Sequence, residues 1–304
     1  MEHFLFTADL HGNFSQYERV FAEALRRKVD LLILGGDLTP KNPERRTPQH
    51  QRDFFEKELF PLIKDFKSKT TADVLLILGN DDFKSNYHFM IDHQPSIGFH
   101  LIDHTPFISK QDYYYVGYTY VPYTPFRYKD WERRDLERQT DLSERKDVRE
   151  DGFISTDSEL VPHNIHKSMM QYSIETDLKR ITKNIPREKL VLVSHAPPHK
   201  TATDYTCIKW GMTKFDKFCS FFYPPKYYQH VGSKAVKEFI ETEQPLLTLH
   251  GHIHDTVDLT GKFPEKIGTS YVVSVGNDNI PDAPYIVLGK IDGSTVELER
   301  KLLS

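Results

Sequence analysis

Apolar runs of four or five residues recur along this chain, and each stops abruptly at a polar motif. Phe4 to Ala8 runs into Asp9-Leu10-His11-Gly12-Asn13, and Leu31 to Leu34 runs into Gly35-Gly36-Asp37. Val74 to Leu78 is followed by Gly79-Asn80-Asp81-Asp82, and Leu190 to Val193 by Ser194-His195-Ala196. Leu246 to Leu249 ends in His250-Gly251-His252-Ile253-His254. Runs this short and this continuously apolar suit strands covered on both faces.

Between the first runs lie segments of helical period. Residues 14–28 place Phe14, Tyr17, Phe21, Ala24 and Leu25 on one face, and residues 49–67 read as helix too. Strand and helix in alternation predict a parallel sheet of βαβ units. Further helices are predicted at 168–183 and 233–242, and β-rich pieces at 271–275, 285–288 and 295–298. Residues 118–166 and 198–232 break the pattern, being rich in charge, tyrosine and proline, and read as insertions in a single domain.

Strands of an open α/β sheet deliver their C-terminal ends to one crevice. Asp9, His11, Asp37, Asn80, His195, His252 and His254 would meet there. Four imidazoles and three oxygen donors exceed what one ion needs, and the mixture suits manganese, iron or zinc better than calcium. Two ions close together would share a ligand, and the carboxylate of Asp37, preceded by Gly36, is the natural bridge. Such a pair clamps phosphoryl groups and activates water.

Composition narrows the partners. The formal net charge is −4, so no global basic field draws in long nucleic acid, and a phosphate would have to find its positive charge locally. Two cysteines, Cys207 and Cys219, form no disulfide framework and no zinc-binding CxxC. The N-terminus opens directly into a strand, without the pattern of a secretory signal, and no apolar run is long enough for a membrane span. A cytoplasmic protein acting on a small phosphate ester, with a nucleotide as one option, is the expectation.

In order and spacing, these motifs resemble those of the calcineurin-like metallophosphoesterase superfamily. The resemblance covers residues 9–254, and Ser274-Val275-Gly276-Asn277 fits the closing strands. It implies a four-layer α/β/β/α sandwich of two mixed β-sheets flanked by helices. It implies two divalent or trivalent metal ions, manganese, iron or zinc, with magnesium as a further option. Asp9, His11 and His254 would hold the first, Asn80, His195 and His252 the second, and Asp37 both. Hydrolysis of phosphomonoesters or phosphodiesters by a metal-bridging hydroxide follows from it. A non-catalytic scaffold and a nuclease of the same fold are the alternatives.

One position departs from the family pattern. The third motif of the family usually reads Gly-Asn-His, with the histidine serving the leaving group; here Asp81 follows Asn80. An ionised carboxylate is a poor proton donor, which favours diesters and acidic leaving groups. His199 is the candidate substitute acid, and Asn13 and Asp82 are candidates for orienting the ligands. In the 118–166 insertion, Tyr118, Tyr120, Tyr123, Tyr128 and Trp131 with Arg127, Arg133 and Arg134 could line a pocket. The mixed-charge run Glu132 to Arg138 instead predicts a solvated helix packed on the sheet edge.

Overall fold

The structure is a computed structural model, described here for residues 1–41, 46–103, 105–140, 148–165, 171–207, 228–277 and 283–303. Two six-stranded mixed sheets carry the fold. The first has the order β16-β15-β1-β2-β3-β4, with β1 (Glu2–Thr7), β2 (Leu31–Gly35), β3 (Asp73–Ile77) and β4 (His100–Leu101) parallel. β15 (Tyr285–Asp292) and β16 (Thr295–Leu302) form a hairpin, with β15 antiparallel to β1. The second sheet has the order β13-β14-β12-β9-β6-β5. Its centre is parallel, from β6 (Tyr114–Tyr118) through β9 (Leu190–Ser194) and β12 (Leu247–His250) to β14 (Ser270–Ser274). β5 (Phe107–Ile108) and β13 (Glu265–Ile267) close its edges antiparallel.

Strand alternation explains the layering. Phe4 and Phe6 of β1, Leu31 and Ile33 of β2, and Leu75 and Ile77 of β3 face one cluster with Tyr115, Val191, Val193, Leu247, Leu249 and Val273 of the second sheet. Their alternate neighbours Leu5, Leu32, Leu34, Val74 and Leu76 face outward onto helices. Each strand is therefore buried on both sides, which is why it reads as a continuous apolar run. The helices over the first sheet are α1 (Phe14–Arg27), α2 (Pro48–Phe54), α3 (Phe60–Lys69) and α4 (Tyr87–Ile97); α2 and α3 are joined by a wider π-helical turn, Phe55–Leu59. Phe21, Ile63 and Phe66 supply the apolar stripe. Over the second sheet lie α5 (Ile174–Ile181) and α6 (Lys234–Glu243), with Ile174, Leu178, Val236 and Ile240 turned inward. A short helix α7 (Thr256–Thr260) follows the last motif. The four-layer expectation holds.

The predicted helix over Glu132 to Arg138 is not there. This stretch is bridge, turn and irregular backbone, with Val121 paired to Glu132 and Arg134 to Ser173. The physical reason is that its backbone pairs across the chain: the Arg133 amide donates to Val121 O and the Arg134 carbonyl accepts the Ile174 amide, bonds that replace a helical ladder. Lys129 is fully buried and donates to both carboxylate oxygens of Glu132 at 3.0 Å and to the Thr124 carbonyl. A carboxylate and an ammonium removed from water must find each other, and this pair does so inside the fold rather than on a solvated face. The rest of the insertion includes a hairpin, β7 (Asp151–Ser155) with β8 (Leu160–Asn164). In the second insertion, β10 (Tyr205–Cys207) pairs with β11 (Tyr228–His230); Pro224, Pro225 and Cys219 fall outside the described residues. Of the helix predicted at 168–183, the structure has α5 at Ile174–Ile181, because extended Ser173 caps its start by accepting the Thr176 amide; residues 166–170 lie outside the described residues.

Candidate metal centre

The polar motifs all sit just past the C-terminal ends of β1, β2, β3, β9 and β12, and the two sheets bring those ends together. Hydrogen bonds between motifs set the register. The amide of Asp9 donates to Gly36 O at 3.0 Å, His11 to Asp37 O at 2.9 Å, and Gly251 to His195 O at 3.2 Å. Asp9, His11, Asp37 and His252 all have left-handed backbones, with φ of 60°, 46°, 52° and 68°. For residues with a Cβ this conformation costs on the order of 1 kcal/mol or more each, and such strain gathers at functional sites. Close approach is built in as well. A Cβ at Gly79 would stand 2.2 Å from Asp37 Oδ1, and one at Gly36, itself at φ 97°, would stand 2.7 Å from His195 Nδ1.

The seven candidate ligands assemble as two groups. Ligand atoms of Asp9, His11, Asp37 and His254 lie within 4.8 Å of one another. His11 Nε2 and His254 Nε2 are only 3.2 Å apart, and His254 Nε2 is 3.7 Å from Asp9 Oδ1. In the second group, Asn80 Oδ1 is 3.1 Å from His195 Nε2 and 2.6 Å from His252 Nδ1. Asp37 touches both groups, Oδ2 at 3.7 Å from His11 Nε2 and Oδ1 at 3.4 Å from His195 Nε2. His195 Nδ1 faces Gly35 O at 2.9 Å, a carbonyl that can only accept, so this nitrogen carries a proton and Nε2 is the one turned to Asn80 and Asp37.

Electrostatics and unmet polar atoms fit a cation. Asp9 Oδ2 is buried without a hydrogen-bond partner, and so is His11 Nδ1. Burial holds His11 and His252 down to about 3, leaving neutral imidazoles. Burial raises the carboxyl of Asp9 to about 7. Burial acts on Asp37 in the same direction, but the charge and hydrogen bond of His195 outweigh it and keep the carboxyl well below its usual range. Burial acts to lower His195 as well, but the carboxylate of Asp37 outweighs it and raises that imidazole to about 9, so His11 and His252 are ready to ligate while His195 would give up a proton to a bound cation. Asp9, His11 and His254 would hold one ion and Asn80, His195 and His252 another, with Asp37 facing both.

The remaining site candidates fall in different places. Asp82 is buried and its carboxylate accepts the amides of Leu38 at 3.0 Å, Thr39 at 2.9 Å and Gly79 at 2.9 Å, plus the Thr39 hydroxyl at 2.7 Å. It thus ties the Asp37 loop to the Asn80 loop. The Asn13 side chain caps α1 by accepting the Gln16 amide. His199 is turned to a separate cluster, with Nδ1 at 3.4 Å from Asp204 Oδ2 and its ring 6.1 Å from that of His230. Asp81 stays at the centre, with Oδ2 at 4.0 Å from His11 Nδ1. Burial acts to raise its carboxyl, yet Lys41 and then Arg46 hold it below the usual value, so it is not a proton donor at neutral pH.

Sequence reasoning missed three contributors, Lys41, Arg46 and Phe126, while Trp131 was among the insertion residues named for a pocket. Lys41 and Arg46 pair with Asp81, at 2.9 and 2.5 Å. Trp131 of the first insertion donates from Nε1 to Asp82 O at 2.6 Å, and the Phe126 ring lies 6.2 Å from the ring of His252. The insertion therefore does reach the site. A position four residues past Asp37, on a loop leaving a strand end, was the available clue to Lys41; nothing local marked the others.

Comparison with known proteins agrees with this geometry. A family model described as calcineurin-like phosphoesterase matches residues 2–256. Among solved structures, TT1561 of Thermus thermophilus is similar at a TM-score of 0.54 and 14% identity, covering 98% of both chains. A dimetal phosphatase from Danio rerio is similar at a TM-score of 0.52 and 12% identity, covering 100% of this chain and 98% of that one. GAP50, described as the anchor in the inner membrane complex of Plasmodium, reaches 0.50 at 10% identity, over 98% of this chain and 84% of its own. At these identities the likeness is one of fold. No protein of curated function matches the chain in sequence. Among the described residues, no helix is long and apolar enough to cross a membrane. With a family match over most of its length and a buried Asp/His cluster at the strand ends, the chain belongs to the calcineurin-like phosphoesterase family and is a metal-dependent hydrolase of phosphoester bonds.

Proposed function

We propose that this protein is a two-metal phosphoesterase acting on a small phosphate ester, with diesters and acidic leaving groups favoured. The observation that carries the reading is the placement of Asp37. Its two oxygens face two separate ligand groups, Oδ2 toward His11 and Oδ1 toward His195. A carboxylate between two sets of imidazoles is the arrangement a shared ligand needs. When bound, the metals would neutralise phosphate charge and lower the pKa of water. The chain supplies the rest. Asp82 and the inter-motif amides fix the loops, His195 holds its tautomer through Gly35 O, and Phe126 offers an apolar surface beside His252. Asp81 is held ionised and His199 is turned away to Asp204, so neither is placed to protonate the leaving group. That supports the preference for good leaving groups.

The test pairs metal analysis with turnover. Purified protein loaded with manganese, iron, zinc or magnesium is expected to bind about two ions per chain and to hydrolyse an aryl phosphodiester. Asp37→Asn and His252→Ala should each reduce turnover by on the order of 100-fold or more. One ion per chain, or full activity in Asp37→Asn, would overturn the two-metal reading. The Plasmodium anchor shows that this fold also occurs in a protein described by its anchoring role. Bound metal without turnover on any phosphate ester would favour a scaffold for this chain.

A further inference from the structure

The third motif carries a carboxylate where a histidine is usual, and the structure surrounds it with two cations. Arg46 donates to Asp81 Oδ1 at 2.5 Å and to its carbonyl at 3.1 Å. The Lys41 ammonium pairs with Oδ2 at 2.9 Å. One carboxylate and two cations leave a surplus positive charge beside the ligand groups. The two cations are not equivalent. The Arg46 side chain is only 10% exposed, with its guanidinium 4.2 Å from the Tyr128 ring centroid and 5.8 Å from that of Phe83. It is walled in, and its task is to hold Asp81. The Lys41 side chain is 37% exposed, and it acts electrostatically on Asp9, His11, Asp37 and His252 as well as on Asp81. An ammonium has three donor hydrogens, and the Asp81 contact uses one.

We propose that Lys41 is a catalytic residue that contacts the substrate at its departing oxygen, and that Asp81, locked by Arg46, is the positioning residue that aims it. The proposal rests on the phosphoesterase reading above. In the step it serves, a water oxygen forms a bond to phosphorus and releases a proton to solvent while the bond from phosphorus to the leaving oxygen breaks. The leaving oxygen keeps that electron pair and departs as an anion, which the Lys41 ammonium stabilises by charge. The anion then takes a proton from solvent. A fixed cation lowers the cost of a departing anion without transferring a proton, so leaving-group acidity still matters, but less than it would with no cation there.

The experiment compares wild type, Lys41→Met, Lys41→Arg and Asp81→Asn, each checked for metal content and thermal stability. Aryl phosphodiesters of graded leaving-group pKa are assayed with manganese-loaded protein, and inorganic phosphate binding is measured by calorimetry. Lys41→Met is expected to lose on the order of 100-fold in kcat on the poorest leaving group and only a few-fold on the best, steepening the dependence. Its affinity for inorganic phosphate should drop about 10-fold, while Lys41→Arg keeps most of both. Asp81→Asn should shift kcat in the same direction by a smaller factor at unchanged metal content. An unchanged leaving-group slope together with unchanged phosphate affinity in Lys41→Met would overturn the proposal. Should wild type show no turnover, the phosphoesterase reading fails on its own, and phosphate binding still decides whether Lys41 contacts the anion.

Discussion

Asp82 gives the sharpest test of how the centre is held together. Its buried carboxylate is the shared acceptor for three amides, those of Leu38, Thr39 and Gly79, and for the Thr39 hydroxyl. In Asp82→Ala these donors remain buried without partners. A stranded buried donor costs about 1–3 kcal/mol, so three amides place the gross loss at roughly 3–9 kcal/mol. Burial raises the Asp82 carboxyl to about 6, and removing that strained group returns part of the loss. A net cost of roughly 3–6 kcal/mol remains. That is a large part of the ~5–15 kcal/mol that holds a typical domain folded. For a chain of 304 residues, at about 2 °C per kcal/mol, the melting temperature should fall by roughly 6–12 °C. Asp82→Asn keeps one acceptor oxygen and should lose about half as much. The assay is thermal melting after chelation, so that metal binding does not mask the effect, followed by metal titration. Manganese affinity should fall on the order of 10- to 100-fold, because the Asp37 and Asn80 loops are no longer tied. Melting of the alanine variant within ~2 °C of wild type would refute the argument, since it would mean the amides find water or relax.

Other perturbations follow from the same geometry. Gly79→Ala puts a Cβ 2.2 Å from Asp37 Oδ1 and should impair metal binding more than overall folding, as read by metal content against melting temperature. Trp131→Phe leaves the Asp82 carbonyl without its indole donor and is expected to cost about 1–3 kcal/mol in urea unfolding. Burial raises the carboxyl of Asp103 to about 7 from 3.8, so the folded state holds the proton more tightly than the unfolded chain. Stability is then lost as pH rises from about 4 through 7, and the penalty persists above that range. Asp103→Asn should therefore be more stable than wild type at pH 8–9, by at most roughly 4 kcal/mol, and converge with it near pH 4. Equal gains at both pH values would contradict the burial argument.

How far the sequence went depended on whether a feature was local. Phe4 to Ala8 and Val74 to Leu78 announce buried strands because both faces of each are covered, and ligand-type residues directly after them announce where chemistry can collect. The helix over Glu132 to Arg138 failed for a non-local reason. Its charge spacing was right, but its backbone bonds go to Val121 and Ile174, and its Glu132 is buried against Lys129 instead of facing water. Likewise, Lys41 and Arg46 meet Asp81 across a long stretch of chain, and no periodicity encodes that meeting. His199 looked placed for catalysis by adjacency to His195, yet the turn that follows sends it to Asp204 instead.

The left-handed backbones at Asp9, His11, Asp37 and His252 have a consequence for how the protein matures. Left to itself, each of these residues would relax to a right-handed or extended conformation. The sheets and the inter-motif amides hold all four against that preference, so the ion-free protein carries a loaded spring at the mouth of its crevice. A captured cation would act as the latch. Glycine at any of the four would unload the spring and leave a chain that folds more easily yet has lost a donor with which to hold an ion. The conformations least comfortable for the polypeptide are thus the ones that would make it a receptor for metal.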